Sequence, residues 1–377
     1  VTPAYVEPLS GRTYPLDMPR WRSDDGLPLM ITPLPGIARG EIASSTRSLW
    51  RYAGAFPFPI DEPVTMGEGL TPLVERRWDG ARALFKLEWM NPSGSFKDRG
   101  ASVMISALRQ QGVTRLLEDS SGNGGAAIAS YAAAAGIAAK ILVPASTSPA
   151  KTVQTRACGA EIELIPGARQ ATADAAILQS DAIFYASHNW QAFFLQGTKT
   201  LAYELWEDLG FRAPDNIVIP TGAGSNVLGL DIGFGELTRR GEIAKPPRLF
   251  AAQPAHCAPL CASIEAGAGD CAPFAPQPTI AEGTAIAAPV RARDVLAAIR
   301  RSGGGGVAVS EEAIVEACFA LARSGLYAEP TAAVAAAGLS ALLARGQIAA
   351  GETTVVVLTG GGLKATPRWG ELIAARG

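Results

Sequence analysis

Apolar residues recur at helical spacing after residue 97: Ala101, Met104, Ile105 and Leu108 would share one face. Gly112 follows as a natural helix stop. Just before that helix, Ala83–Glu88 alternates as a strand does. Short apolar runs then alternate with helical stretches. Strands are expected at Arg115–Glu118, Lys140–Pro144, Glu161–Ile165 and Ala182–Tyr185, with helices ending near Ala135 and at Ala171–Gln179. Further strands are expected at Asn216–Pro220, Leu249–Gln253 and Thr353–Leu358. Helices are expected at Thr200–Leu209, after Asn226, and at Arg291–Arg301, Glu311–Ala322 and Thr331–Ala344. This alternation predicts an α/β fold with doubly wound, mostly parallel sheets. Gly303–Gly306 has no strand pattern before it and reads as a loop without chemistry. Residues 1–50 are rich in Pro, Gly and Arg and read as an irregular extension over the surface or a subunit partner.

The chain has 377 residues, enough for two domains. A small, mobile substrate domain is expected at 100–190, and a large one from 1–99 with 191–377. The net charge of −2 implies no broad basic face for nucleic acid. The most apolar window, Gly124–Val143, is broken by Gly136 and Lys140, so no membrane span is expected. Residues 1–11 lack a basic start and an apolar run, which fits a cytoplasmic protein. The five cysteines are irregularly spaced and suit a reducing compartment. His256, Cys257, Cys261 and Cys271 match no common zinc spacing, so no metal is assigned.

The candidate chemistry centres on Asn91-Pro92-Ser93-Gly94-Ser95-Phe96-Lys97-Asp98-Arg99-Gly100. Turn signals open it, and Ser95 and Asp98 have capping-box spacing, which puts Lys97 in a first helical turn. The positive end of a helix dipole is a poor place for a structural lysine. There the field favours a neutral amine, the form that attacks an aldehyde to make a Schiff base. A surface lysine at a helix start is the bland alternative. The motif resembles that of pyridoxal-phosphate (PLP) enzymes of the tryptophan synthase β-like group, fold type II, and is most similar to threonine synthase. The resemblance implies two three-layer domains, with PLP held covalently by Lys97. Lys86 and Lys199 are the next lysines to consider. The Gly67-Glu68-Gly69-Leu70-Thr71-Pro72-Leu73 turn also resembles that family.

Two Gly-rich loops follow expected strands. Gly222, Ala223, Gly224, Ser225 and Asn226 can cradle an anion with backbone amides at a helix start. The loop has no Walker ending and no clean dinucleotide fingerprint, so a single phosphate monoester fits best. The resemblance makes it the PLP phosphate loop. Ser120, Ser121, Gly122, Asn123 and Gly124 resemble the family's asparagine loop. That resemblance puts Asn123 near the cofactor's 3′-oxygen and its neighbours on the substrate carboxylate. Thr359, followed by Gly360-Gly361-Gly362-Leu363-Lys364, resembles the family's stretch against the pyridine nitrogen. Turn geometry alone would also explain each loop.

Gly197-Thr198-Lys199-Thr200 matches threonine synthases, but Phe194 stands where those enzymes carry a phosphate-binding arginine. Thr279-Ile280-Ala281-Glu282-Gly283 is more similar to serine/threonine dehydratases. The expected activity is elimination or replacement on a small amino-acid substrate by a homodimer: O-phospho-L-homoserine to L-threonine, or alternatively β-elimination from serine, threonine or a relative. A NAD-dependent oxidoreductase and a non-catalytic binding relative are the rivals from other classes.

Overall fold

The computed structural model describes residues 2–167 and 169–376. The chain forms two compact units. Unit one takes the chain up to Leu70 together with Lys97–Thr200; unit two takes Thr71–Phe96 and the chain from Leu201 onward.

Three short strands open the chain: β1 (Tyr5–Val6), β2 (Thr13–Tyr14) and β3 (Met30–Ile31). β4 (Leu73–Trp78) and β5 (Ala81–Leu87) form a hairpin. Its two-residue turn is Asp79-Gly80, both at positive φ, which matches the twist of the flanking strands. Then come α1 (Lys97–Gln110), β6 (Arg115–Glu118), α2 (Asn123–Ala135), β7 (Ala138–Pro144) and α3 (Pro149–Ala157). β8 (Glu161–Ile165), α4 (Arg169–Gln179), β9 (Phe184–Tyr185), α5 (Ala192–Thr198) and α6 (Thr200–Asp208) follow. The next run is β10 (Asn216–Pro220), α7 (Ser225–Arg240), β11 (Arg248–Pro254), α8 (Pro259–Glu265) and α9 (Ala292–Ser302). The chain closes with β12 (Gly305–Val309), α10 (Glu311–Arg323), α11 (Pro330–Ala344), β13 (Thr354–Leu358) and α12 (Thr366–Ala374).

Unit one carries a parallel sheet in the order β8-β7-β6-β9 and a small antiparallel sheet, β2-β1-β3. Residues 1–50 are therefore not wholly irregular. They also belong with unit one, not with the larger unit where the sequence reading put them. The reason is packing: Tyr5, Leu29 and Ile31 share one core with Met104, Ile105 and Leu108 of α1. Each such side chain contributes on the order of 2 kcal/mol on burial. Glu68 adds a polar clamp. Its buried carboxylate accepts from Trp50 Nε1 (3.1 Å), Ser102 Oγ (2.7 Å) and Tyr131 Oη (2.8 Å).

Unit two is built on one six-stranded sheet, β12-β11-β10-β13-β5-β4, parallel except for the edge strand β4. β10 and β13 are buried along their whole length, as strands covered on both faces must be. The Ala-rich α11 packs into the same core, with Ala332, Ala333, Val334 and Ala335 all inaccessible. The glycine run at 303–306, expected as a loop, instead enters β12: Gly305 and Gly306 pair with Phe250 and Ala251. A neighbouring strand there outweighs the low strand propensity of glycine.

Candidate active site

Lys97 is the first residue of α1. Its Nζ lies 5.6 Å from the centre of the Phe194 ring, which is fully buried in α5. α1 and α5 touch backbone to backbone. A β-carbon on Gly197 would stand 2.0 Å from the Arg99 carbonyl oxygen, so no other residue fits there. The other candidate lysines are engaged elsewhere. Lys86 Nζ is 2.7 Å from both Glu204 and Asp208, and Lys199 Nζ donates to the Ala55 carbonyl at 2.7 Å.

Also in unit one, β6 delivers the loop Ser120–Asn123 to the start of α2, where Asn123 is the first residue. The first amides of a helix lack intrahelical acceptors, which suits a carboxylate. Beside this loop lie two residues outside the site expected from the sequence. Glu118, the last residue of β6, is inaccessible, and its Oε1 shares a 2.9 Å hydrogen bond with His188 Nδ1. The His188 backbone N–H donates to Glu118 Oε2 at 3.0 Å. Burial pushes the Glu118 carboxyl up to about 7, against the His188 amide and the Lys97 charge. Burial and the Lys97 charge hold the His188 imidazole well below its usual 6.5. The sequence did carry a signal: a carboxylate directly after the apolar Leu116-Leu117 pair of a short strand, and one of only two histidines in the chain.

In unit two, strands β10, β13 and β5 lie side by side in parallel, with Val218 opposite Val356 and Leu358 opposite Leu87. Their carboxyl ends therefore bring together the Gly222–Asn226 loop, Thr359 and the 88–96 segment. Ligands bind at such strand ends in open α/β sheets. Gly224 caps α7 at φ +90, and a β-carbon there would lie 2.3 Å from Val295 Cγ2. Gln253 Nε2 steadies the loop by donating to the Thr221 carbonyl at 3.1 Å. The Phe96 amide donates to the Thr359 carbonyl, and Ser95 bridges to Gly360. From the other side, Glu329 N–H donates to the Gly360 carbonyl at 3.0 Å.

Two buried residues in this cluster have polar atoms without partners among the described residues: Thr359 Oγ1, and both Oδ1 and Nδ2 of Asn226. An unsatisfied buried polar group costs about 1–3 kcal/mol, so a fold that retains several at the carboxyl ends of its strands is suited to a polar ligand. A phosphate-bearing heterocycle fits these groups: backbone amides and the α7 N-terminus for the phosphate, and a hydroxyl for a ring nitrogen. By contrast, no cluster of three or more His, Cys, Asp or Glu able to hold a metal occurs among the described residues. Cys257 and Cys261 are buried thiols without a bridge. No helix among the described residues is long and apolar enough to cross a membrane.

A parallel α/β sheet with an anion loop and a buried hydroxyl at its strand ends, in a chain that also carries a lysine at a helix start, has the make-up of a cofactor-dependent α/β enzyme. The profile of the pyridoxal-phosphate dependent enzymes matches residues 64–360, and the chain belongs to that family. Its cofactor is pyridoxal 5′-phosphate. The chain is 36% identical over 325 residues to a threonine synthase of Methanosarcina acetivorans, covering 84% of this chain and 80% of the relative. It is 33% identical to a threonine synthase of Methanocaldococcus jannaschii, with the same coverage. A fungal L-serine ammonia-lyase from Rhizomucor miehei shares the fold, at TM-score 0.68 and 24% identity over 78% of this chain and 94% of that one.

Proposed function

We propose that the protein carries out elimination and replacement on an amino acid in the manner of a threonine synthase, converting O-phospho-L-homoserine to L-threonine and phosphate. The observation that carries this reading is the buried, unpartnered Thr359 hydroxyl at the end of β13, beside the loop that follows β10. Threonine synthase relatives at 36% and 33% identity support it.

In this reading Lys97 would hold the cofactor, Gly222–Asn226 its phosphate, Asn123 its 3′-oxygen and Thr359 its pyridine nitrogen. When bound, PLP supplies the electron sink that makes the substrate α-proton acidic. Lys97, once released, takes and returns that proton as a general base. The amides at the start of α2, with Ser120, Ser121, Gly122 and Gly124, hold the substrate carboxylate. A hydroxyl at Thr359 cannot stabilise a protonated ring nitrogen as a carboxylate would, which favours prompt loss of a leaving group over transamination. The Phe194 wall keeps water from one side of the lysine amine. Unit one is thereby assigned substrate binding, and a homodimer belongs to the same reading.

The test is turnover by PLP-loaded protein. Threonine and phosphate from O-phosphohomoserine support the reading; cofactor binding without any release of phosphate, ammonia or 2-oxoacid would sink it. A second reading is β-elimination from a hydroxy amino acid. The fully buried Phe194, at the position of the phosphate-binding arginine, favours it. A phenyl ring supplies no charge-assisted pair to a substrate phosphate.

A further inference from the structure

We propose that His188 and Glu118 form a proton-delivery pair for the substrate's leaving group, so that the site also takes amino acids whose leaving group is a hydroxyl, the second of the two substrate readings above. The proposal rests on the reading of Lys97 as the cofactor lysine and deepens it.

The geometry carries the argument. Both Glu118 oxygens are held by His188, one by the ring and one by the backbone N–H, at 2.9 and 3.0 Å. This fixes the imidazole with Nδ1 toward the carboxyl. The other ring nitrogen, Nε2, has no hydrogen-bond partner among the described residues. The ring lies against the asparagine loop: a β-carbon on Gly124 would stand 2.6 Å from His188 Cε1 and 3.0 Å from Ser120 Oγ. The same ring is 5.7 Å from the Phe194 ring that borders Lys97. A carboxyl–imidazole pair, one nitrogen uncommitted, therefore sits beside the loop assigned to the substrate.

The charged groups around the pair act in opposite directions. Lys97 and Arg169 favour the ionised carboxyl and the neutral imidazole; the Asp119 backbone also favours the ionised carboxyl, while the Asp119 charge favours the protonated imidazole. Asp119 is itself engaged, accepting from Tyr185 Oη at 2.7 Å and Ser187 Oγ at 3.1 Å. With the Glu118 carboxyl raised to about 7, the pair holds or releases one proton near neutrality.

The step balances within the pair. In the charged-up state Glu118 carries its proton toward Nδ1, and Nε2 carries the other. As the carbon–oxygen bond breaks, its electron pair goes to the leaving oxygen, which takes the Nε2 proton and departs as water. Nδ1 takes the proton from Glu118, leaving a carboxylate and a neutral imidazole. A proton from solvent restores the pair, and nothing is oxidised or reduced. A hydroxyl needs such an acid. Chloride does not.

That difference is the test. PLP-loaded wild type, His188→Gln and Glu118→Gln would be assayed for 2-oxoacid formation from L-serine, L-threonine and β-chloro-L-alanine. The expected loss for His188→Gln is about 100-fold or more on the hydroxyl substrates, and less than about 5-fold on the chloride. Glu118→Gln should give the same split. In wild type the hydroxyl rate, but not the chloride rate, should fall as pH rises above about 7. This last measurement needs no variant and stands even if a substitution prevents folding. Equal losses on both substrate classes, no loss, or a shared pH dependence overturn the proposal. If wild type with cofactor trapped on Lys97 uses only O-phosphohomoserine, the pair has no such role while the cofactor site stands. If no cofactor is trapped on Lys97, the underlying reading fails and this one falls with it.

Discussion

The backbone N–H of Phe96 donates to the carbonyl oxygen of Thr359 at 3.0 Å. The residue before Lys97 is thus tied to the strand end that carries the unpartnered hydroxyl. Because the tie is made through backbone atoms, a side-chain change at Thr359 can be examined without breaking it.

Thr359→Asp and Thr359→Ala should therefore both bind cofactor, and both should shift its visible absorption band relative to wild type. Asp should also raise transamination side products and slow elimination, because a carboxylate stabilises a protonated ring nitrogen. If Asp leaves spectrum, elimination rate and side reaction unchanged, Thr359 does not face the ring.

Lys97→Ala should abolish covalent trapping of PLP by borohydride and lower turnover by at least about 1000-fold. Lys86 is held by two carboxylates and Lys199 by a carbonyl, so neither should replace it. Peptide mapping that finds reduced cofactor on another lysine would move the site.

Phe194 should set the preference among leaving groups. Wild type is expected to show a high KM for O-phosphohomoserine, since an aromatic ring cannot replace a bidentate guanidinium. Phe194→Ala should cost about 3–5 kcal/mol in stability, as emptying a fully buried aromatic site does. Denaturant unfolding measures the second. Efficient threonine formation at low phosphohomoserine concentration refutes the first.

Glu118 should make stability fall with pH. Its folded carboxyl, raised from the ordinary 4.5 to about 7, binds a proton that the unfolded chain has lost across that window. Stability therefore declines as pH rises from 4.5 to 7. His188 works the opposite way: its imidazole is depressed, so the folded state sheds a proton first and gains stability as pH approaches 6.5. Glu118→Gln removes the first contribution. Its Tm relative to wild type should be more favourable at about pH 8 than at about pH 5. A difference in Tm that is flat across this range contradicts the assignment.

Much of the fold was legible because the strands of a covered parallel sheet are written as short apolar runs. Asn216–Pro220 and the Thr354–Leu358 strand were readable for that reason. β4 was not: Leu73-Val74-Glu75-Arg76-Arg77-Trp78 is an edge strand with a polar middle, although the Asp79-Gly80 turn after it was a usable hairpin signal. The two-residue strands of the N-terminal segment are too short to show a period. In the candidate site, loops with glycine and hydroxyl residues after strands could be picked out locally. The His188–Glu118 pair could not, since 70 positions separate its members and only the parallel pairing of β6 with β9 brings them together.

The backbone contact between Gly197 and Arg99 has a mechanical consequence. With no side chain between α1 and α5 to yield, the two helices behave as a single lever. Whatever displacement carries the backbone of Lys97 carries the backbone of Phe194 with it. The aromatic wall therefore travels with the base of the lysine side chain, and the amine's own freedom lies in the rotations of that side chain against a wall that keeps its place.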